Sequence, residues 1–425
     1  MLKPSKFNFI YKKDDDYIVY NTFSKAVAIL DENDMKYISS DSISDNSDIT
    51  LELKENGFLV DIEFDENAFL KYYNQKIRFS SEYFSLTIAP SLSCNFDCPY
   101  CFENKRTGVM SEEIQEALIK YVIEKIRNGV KIIEITWYGG EPLMQFQIIK
   151  ALCEKFTDIC KKNNVLLKMG MISNGYLLSE EIVDFLEKYE ISFQVTLDGL
   201  RKNHNQRRYL KGGKETFDTI FSNLKLFNNK KVDIYVRMNV DNYNYTDYSQ
   251  LDRLIADINN DRMILYPALT ENINERKKER KNNYMSSSVY DDFISLTRKN
   301  GLFKFKESSI PISNDVGSIP NDRCYFCAAE LINSIVVDDR GNVYKCWNEE
   351  GYDDYCFNLM QPYDINYNSL LRYMGDNVFE DEKCKECVFL PICFGGCKFH
   401  RYHLNEYACA FTEKSIIDYI ESNLL

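Results

Sequence analysis

The sequence predicts an α/β fold, and three observations carry that expectation. Apolar strand candidates alternate with amphipathic helices from residue 84 to about residue 270. The first 83 residues read as three short strands with helices. The C-terminal region carries a long array of spaced cysteines. At 425 residues the chain has room for two or three domains, and it shows no internal repeat.

In the N-terminal segment, Phe7–Lys12 and Tyr17–Tyr20 flank Asp14, Asp15 and Asp16 and read as a hairpin. A third strand is expected over Lys25–Leu30, with a helix starting near Asp31. Leu51–Gly57 reads as a further helix, stopped by its glycine before Phe58. The later strand candidates are Phe84–Ala89, Ile132–Tyr138, Leu166–Ile172, Ser192–Leu197, Val232–Val240 and Met263–Pro267. The helix after the first of them shows why helices fall between. Ser111 can cap it, Glu112 and Glu113 suit its positive end, and Ile114, Leu118, Tyr121 and Val122 recur at helical spacing. Gly129 stops it. Strands joined by helices imply a parallel sheet, and right-handed crossovers curl it one way. In such folds the active site lies at the C-terminal ends of the strands.

A short cysteine loop follows the first of these strands: Cys94-x3-Cys98-x2-Cys101. Three thiolates so close can hold three irons of a [4Fe–4S] cluster, and no fourth cysteine lies nearby to close it. Clusters usually take four cysteines, so one iron is left open for a non-protein ligand. A zinc knuckle is the competing reading, but structural zinc wants four ligands in a closed tetrahedron. The second array runs Cys324-x2-Cys327, Gly341-x4-Cys346, Cys384-x2-Cys387-x5-Cys393-x3-Cys397, then Cys409. Disulfides and zinc ribbons are its alternatives. The chain opens without an apolar export signal or any run long enough to span a membrane. Reduced thiols and a cytoplasmic location are therefore expected, which favours ligation over disulfides. Cys153 and Cys160 share one helical face and read as buried apolar residues. Cys356 stands either as a spare thiol or in place of Cys324 as a ligand.

The loop spacing, with Tyr100 before its last cysteine, resembles the signature of the radical S-adenosyl-L-methionine (SAM) enzymes. In that family the open iron takes the amino and carboxylate groups of SAM, and an electron splits SAM into methionine and a 5′-deoxyadenosyl radical. The six strand–helix units then resemble the partial (β/α)6 barrel of the radical SAM core. Gly139-Gly140-Glu141-Pro142 after the second strand resembles the element that holds the SAM amino group. Ser173 and Asn174 end the third strand, and Thr196 ends the fourth, where it resembles a SAM-contacting serine. Arg208 is the match to an arginine that binds the SAM carboxylate, which suits its bidentate fork. His204 reads as a structural partner rather than a base.

The second cysteine array resembles the SPASM extension, which binds two auxiliary clusters, so the resemblance implies three [4Fe–4S] clusters in all. By position, Cys324, Cys327, Cys346 and Cys397 hold the first auxiliary cluster, and Cys384, Cys387, Cys393 and Cys409 the second. The N-terminal segment resembles the small winged-helix domains of the peptide-recognition type, which add a leader peptide as a strand to a sheet edge. The alternative is a plain cap on the barrel. The boundaries expected are a recognition domain at 1–83, a radical SAM core at 84–310 and a SPASM domain at 311–425.

The resemblance implies a maturase that installs thioether cross-links in a ribosomally synthesised precursor peptide, fed by a reductant such as flavodoxin or ferredoxin. Carbon–carbon or carbon–oxygen cross-linking uses the same parts. A sulfatase maturase is disfavoured, since that branch follows its Gly-x4-Cys element with an aspartate base and here Trp347 follows Cys346. A non-catalytic cluster carrier is the reading from another class, and it gains nothing from an open iron. A net charge of −13 argues against a nucleic-acid partner. The basic run at 276–281, interleaved with Glu275 and Glu279 and next to Glu271, reads as a solvated face.

Overall fold

A computed structural model describes the chain except residues 41, 45, 46, 259, 271–283, 300–323, 376, 408 and 410, and the side chains at 287, 298 and 299. The basic run at 276–281, its acidic neighbours and the expected boundary at 310/311 all lie outside the described residues. The chain divides into two compact units. One comprises Met1–Phe79, Val316–Leu331 and Gly375–Leu425, the other Ser80–Asp315 and Ile332–Met374.

The first unit opens with β1 (Leu2–Pro4), the hairpin β2 (Asn8–Lys13) and β3 (Asp16–Asn21), and β4 (Val27–Leu30). Strands β2, β3 and β4 form an antiparallel sheet in that order, so β4 is an edge. The helix expected near Asp31 is a correction: only Lys36–Ser39 (α1) is helical. The next helix, α2, runs Asp48–Glu55 and starts earlier than the Leu51 expected. Gly57, at φ +80°, ends that segment as expected, before β5 (Leu59–Asp61) pairs with β1. Helix α3 (Glu66–Arg78), capped by Asp65, completes the N-terminal part. Leu2, Val19, Leu30, Ile38, Ile43, Leu53, Phe58 and Leu59 close a small core of their own. Phe7 and Leu70 pack with Val378, Leu390 and Phe394, and Phe9, Ile18 and Tyr20 with Ile392, Ile416, Tyr419 and Ile420.

The second unit is a partial (β/α)6 barrel. Its strands β6 (Tyr83–Ile88), β7 (Ile132–Trp137), β8 (Leu166–Ser173), β9 (Ile191–Thr196), β10 (Ile234–Val240) and β11 (Met263–Leu269) pair in sequence order, all parallel. Helix α4 (Glu112–Arg127) is capped by Ser111, whose Oγ accepts from the Ile114 N–H at 3.4 Å. Helices α5 (Phe146–Lys162), α6 (Glu180–Lys188) and α9 (Tyr248–Ala256), with the intervening α7 (Arg201–Arg207) and α8 (Phe217–Leu224), link the later strands. Cys153 and Cys160 are buried on α5, as their spacing implied. Beyond β6 the sheet is extended by β12 (Ser334–Val337), parallel to β6, and then by β13 (Asn342–Tyr344) and β14 (Phe357–Asn358). Strands this short leave no periodicity long enough to announce them. Among the described residues no helix is long and apolar enough to cross a membrane.

Candidate functional site

The loop after β6 begins at the strand's C-terminal end, where neighbouring strand ends surround it. Gly139 and Gly140, after β7, press against it. A Cβ on Gly139 would lie 2.5 Å from the Ser91 carbonyl oxygen, and one on Gly140 would lie 2.3 Å from that of Ser93. Only glycine permits that approach. The contact is reinforced by hydrogen bonds from the Gly140 and Glu141 N–H groups to Ser91 and Ser93 carbonyls at 3.2 and 2.9 Å.

A cavity of about 250 Å3 opens there. Cys94, Cys98, Tyr100, Cys101, Gly139, Gly140, Ser173, Asn174, Thr196 and Arg208 all line it, so residues spread over more than a hundred positions meet at one end of the barrel. Glu141 alone of the expected set stands one layer back. It is fully buried, and its carboxylate accepts from the Leu143 N–H (3.0 Å), Ser173 Oγ (2.8 Å) and the Asn174 N–H (2.7 Å), tying the end of β8 to that of β7. Burial raises its carboxyl, against those hydrogen bonds.

Asp198, just past β9, organises the opposite wall. Its carboxylate accepts from the Tyr100 hydroxyl (2.5 Å) and from the backbone and side-chain N–H groups of Asn239 (3.1 Å each). Burial would raise the Asp198 carboxyl, but Arg207 and Arg208 hold it below its usual value. Arg208 donates from Nη1 to the Tyr100 oxygen at 2.7 Å. His204 is buried, accepts the Asp198 N–H on Nδ1 at 3.1 Å and meets Thr216 Oγ1 through Nε2 at 3.1 Å. Burial lowers its pKa to about 3, which leaves a neutral structural ring.

The cavity also takes residues that motif matching passed over, notably Glu103, Lys105, Tyr138, Gln194 and Arg237. The strand period was the available signal for two of them: Gln194 and Thr196 on β9, and Arg237 and Asn239 on β10, are alternate residues and so share a face. Trp347, marked in the sequence by its place after Cys346, reaches the wall as well. Its ring stacks on Tyr138 at 4.7 Å, and its Nε1 donates to Thr87 Oγ1 at 3.0 Å.

The residues present fit a cluster with a bound small molecule. No disulfide joins any of the cysteines. Burial pushes the Cys94 thiol up to about 12 and that of Cys101 to about 11, and raises Cys98 also, so charge compensation is required before they ligate. Two polar atoms of the lining, Arg208 Nε and Glu103 Oε2, are buried without a hydrogen-bond partner. Among the described residues no three His, Cys, Asp or Glu side chains are placed to share one metal ion. A four-iron cube asks for thiolates that reach separate irons.

The remaining cysteines divide between the units. Cys324, Cys327, Cys384, Cys387, Cys393, Cys397 and Cys409 belong to the first, Cys346 to the second. In the first unit Arg401 bridges Cys384 Sγ (3.4 Å) and Asp381 (2.8 Å), and Asp381 also accepts the Cys384 N–H at 2.9 Å. The N–H of Cys387 donates to the Cys384 carbonyl at 3.0 Å. Cys409 is exposed. Cys356 is buried within the apolar core of the barrel unit, and burial lifts its thiol to about 12.

Comparison with known proteins gives a consistent picture. Residues 88–255 match the sequence model of the radical SAM superfamily. The radical SAM cyclopropyl synthase TigE of Paramaledivibacter caminithermalis is 21% identical, covering 90% of this chain and 82% of its own. The cysteine-type anaerobic sulfatase-maturating enzyme of Clostridium novyi is 24% identical over 74% of this chain and 87% of its own. The structure of Streptococcus suis SuiB bound to precursor peptide SuiA has a TM-score of 0.50 at 18% identity, covering 97% of this chain and 99% of that one, a likeness of fold.

Proposed function

The chain is a radical SAM enzyme resembling the SPASM-type maturases, and we propose that it installs thioether cross-links in a ribosomally synthesised precursor peptide. The observation that carries the reading is the cavity at the strand ends that gathers the three loop cysteines with Gly139, Gly140, Ser173, Asn174, Thr196 and Arg208. SAM and a [4Fe–4S] cluster on Cys94, Cys98 and Cys101 would supply the 5′-deoxyadenosyl radical there. This chain's own residues would do the rest. Arg208 takes a carboxylate, the glycines let the backbone approach, and the packed strands exclude water. The C-terminal cysteines would hold two auxiliary clusters in the sets assigned by position.

Peptide as substrate is supported by the relatives, one of them solved with a precursor peptide, and by the open edge of β4. We assign the leader to that edge, within the recognition domain proposed for residues 1–83. A small redox protein such as flavodoxin or ferredoxin would deliver electrons in the cytoplasm. The sulfatase-maturase reading is favoured by the Clostridium novyi relative. The stacked, hydrogen-bonded Trp347 at the cavity wall, where that branch places an acid, favours the peptide reading.

The test is reconstitution with short cysteine-containing peptides encoded beside the gene. Thioether formation removes two hydrogens and blocks the cysteine to alkylation. Loss of two hydrogens with the thiol still alkylated identifies carbon–carbon or carbon–oxygen linkage instead. Modification of sulfatase-derived peptides alone contradicts the proposal.

A further inference from the structure

Three cations line the cavity, Lys105, Arg208 and Arg237, against one carboxylate, Glu103. They are not equivalent. Arg208 is held by Tyr100 at 2.7 Å and lies over the Phe96 ring at 5.5 Å. Lys105 instead reaches the backbone of the cysteine loop.

Lys105 Nζ donates to the Phe96 carbonyl at 2.9 Å, and Phe96 lies between Cys94 and Cys98 in the loop. The N–H of the same Phe96 donates to Cys94 Sγ at 3.4 Å. The ammonium is therefore pinned to the backbone that joins two of the thiols, on the cavity side. Burial works against its charge, yet Cys101, Cys94, Cys98 and Glu103 together raise its pKa. Among the described residues its ammonium has the neutral Phe96 carbonyl as its hydrogen-bond acceptor.

We propose that Lys105 sets the reduction potential of the cluster bound by Cys94, Cys98 and Cys101, by placing a fixed positive charge beside its thiolates. Reduction adds negative charge to a group whose ligands are already negative. A nearby ammonium in a poorly solvated site favours the added electron, and net charge is among the factors that set cluster potentials. The role is electrostatic and acts through the cluster, so it rests on the reading of the three cysteines as ligands.

The experiment is an anaerobic redox titration of the full chain, reconstituted with iron and sulfide and followed by electron paramagnetic resonance. The cluster in question is the one whose reduced signal changes when SAM is added. Lys105→Gln and Lys105→Met are expected to move its midpoint to more negative potential, with Lys105→Arg close to wild type. An unchanged midpoint in the Gln and Met variants, with iron content retained, overturns the proposal. So does weaker SAM binding at an unchanged midpoint, which makes Lys105 a ligand for the SAM carboxylate. If the Gln and Met variants fail to load iron, the Arg variant decides: a wild-type midpoint supports the proposal and a more negative one overturns it. If no signal of the wild type responds to SAM, the cluster assignment itself fails, and the proposal with it.

Discussion

His204 shows how a residue outside the cavity shapes it. Its neutral ring accepts the Asp198 N–H, and Nε2 meets Thr216, whose hydroxyl donates to the Arg208 carbonyl at 2.6 Å. The chain of contacts thus fixes both Asp198 and Arg208, the two charged groups hydrogen-bonded to the Tyr100 hydroxyl. The ring stays neutral because burial lowers its pKa from 6.5 to about 3. The unfolded chain binds a proton below pH 6.5 and the folded chain does not until about pH 3. His204 therefore contributes stability that is complete above pH 6.5 and is lost as pH falls toward 3. The slope from one such group is about 1.4 kcal/mol per pH unit. Thermal melts of the reconstituted protein at pH 7.5 and 5.5 are expected to show a lower midpoint at pH 5.5. His204→Gln should lower the midpoint at pH 7.5 and reduce the difference between the two. An unchanged difference in that variant assigns the acid sensitivity elsewhere.

At the scale of elements, the six barrel strands were legible to within a residue or two, because each is a buried apolar run bounded by helices of clear period. The N-terminal hairpin was legible because an acidic turn at Asp14 and Asp15 separates two β-compatible runs. Strand β12 was not, since its pairing with β6 joins Ser334 to Ser85, with strands β7 to β11 lying between them in sequence. Local pattern carries no trace of so distant a partner. The segment after Asp31 misled because the stretch is polar and its helix is a single turn, Lys36–Ser39. Strand β4 pairs with β3 on one side and carries Ile29 at 58% exposed. If the leader adds to this edge, a charge there opposes it. Ile29→Lys is expected to weaken binding of the precursor by about tenfold, roughly 1.4 kcal/mol, with SAM cleavage in its absence unchanged. Undiminished binding removes β4 from the recognition site.

For the whole molecule, the cavity was more legible than the cysteine-rich region. Cys94, Cys98, Cys101, Gly139, Gly140 and Arg208 could be placed together because each follows a strand, and a parallel barrel brings all strand ends to one side. No such rule links Cys324 to residues 384–409, and the compact unit they share also contains Met1–Phe79. Phe7, Leu70 and Tyr20 pack on residues from the C-terminal segment, so removing the N-terminal segment would strip that core as well. Point changes such as Ile29→Lys are accordingly the sharper probe of leader binding.

The central claim is that Cys94, Cys98 and Cys101 carry the cluster that cleaves SAM, and the most direct measurement is made on a chain with all three replaced by Ala. After anaerobic reconstitution its iron content is compared with wild type, and 5′-deoxyadenosine is quantified with dithionite as reductant. The variant should hold about four irons fewer per chain, one cluster's worth, and form no 5′-deoxyadenosine. A triple variant that still cleaves SAM reductively contradicts the assignment.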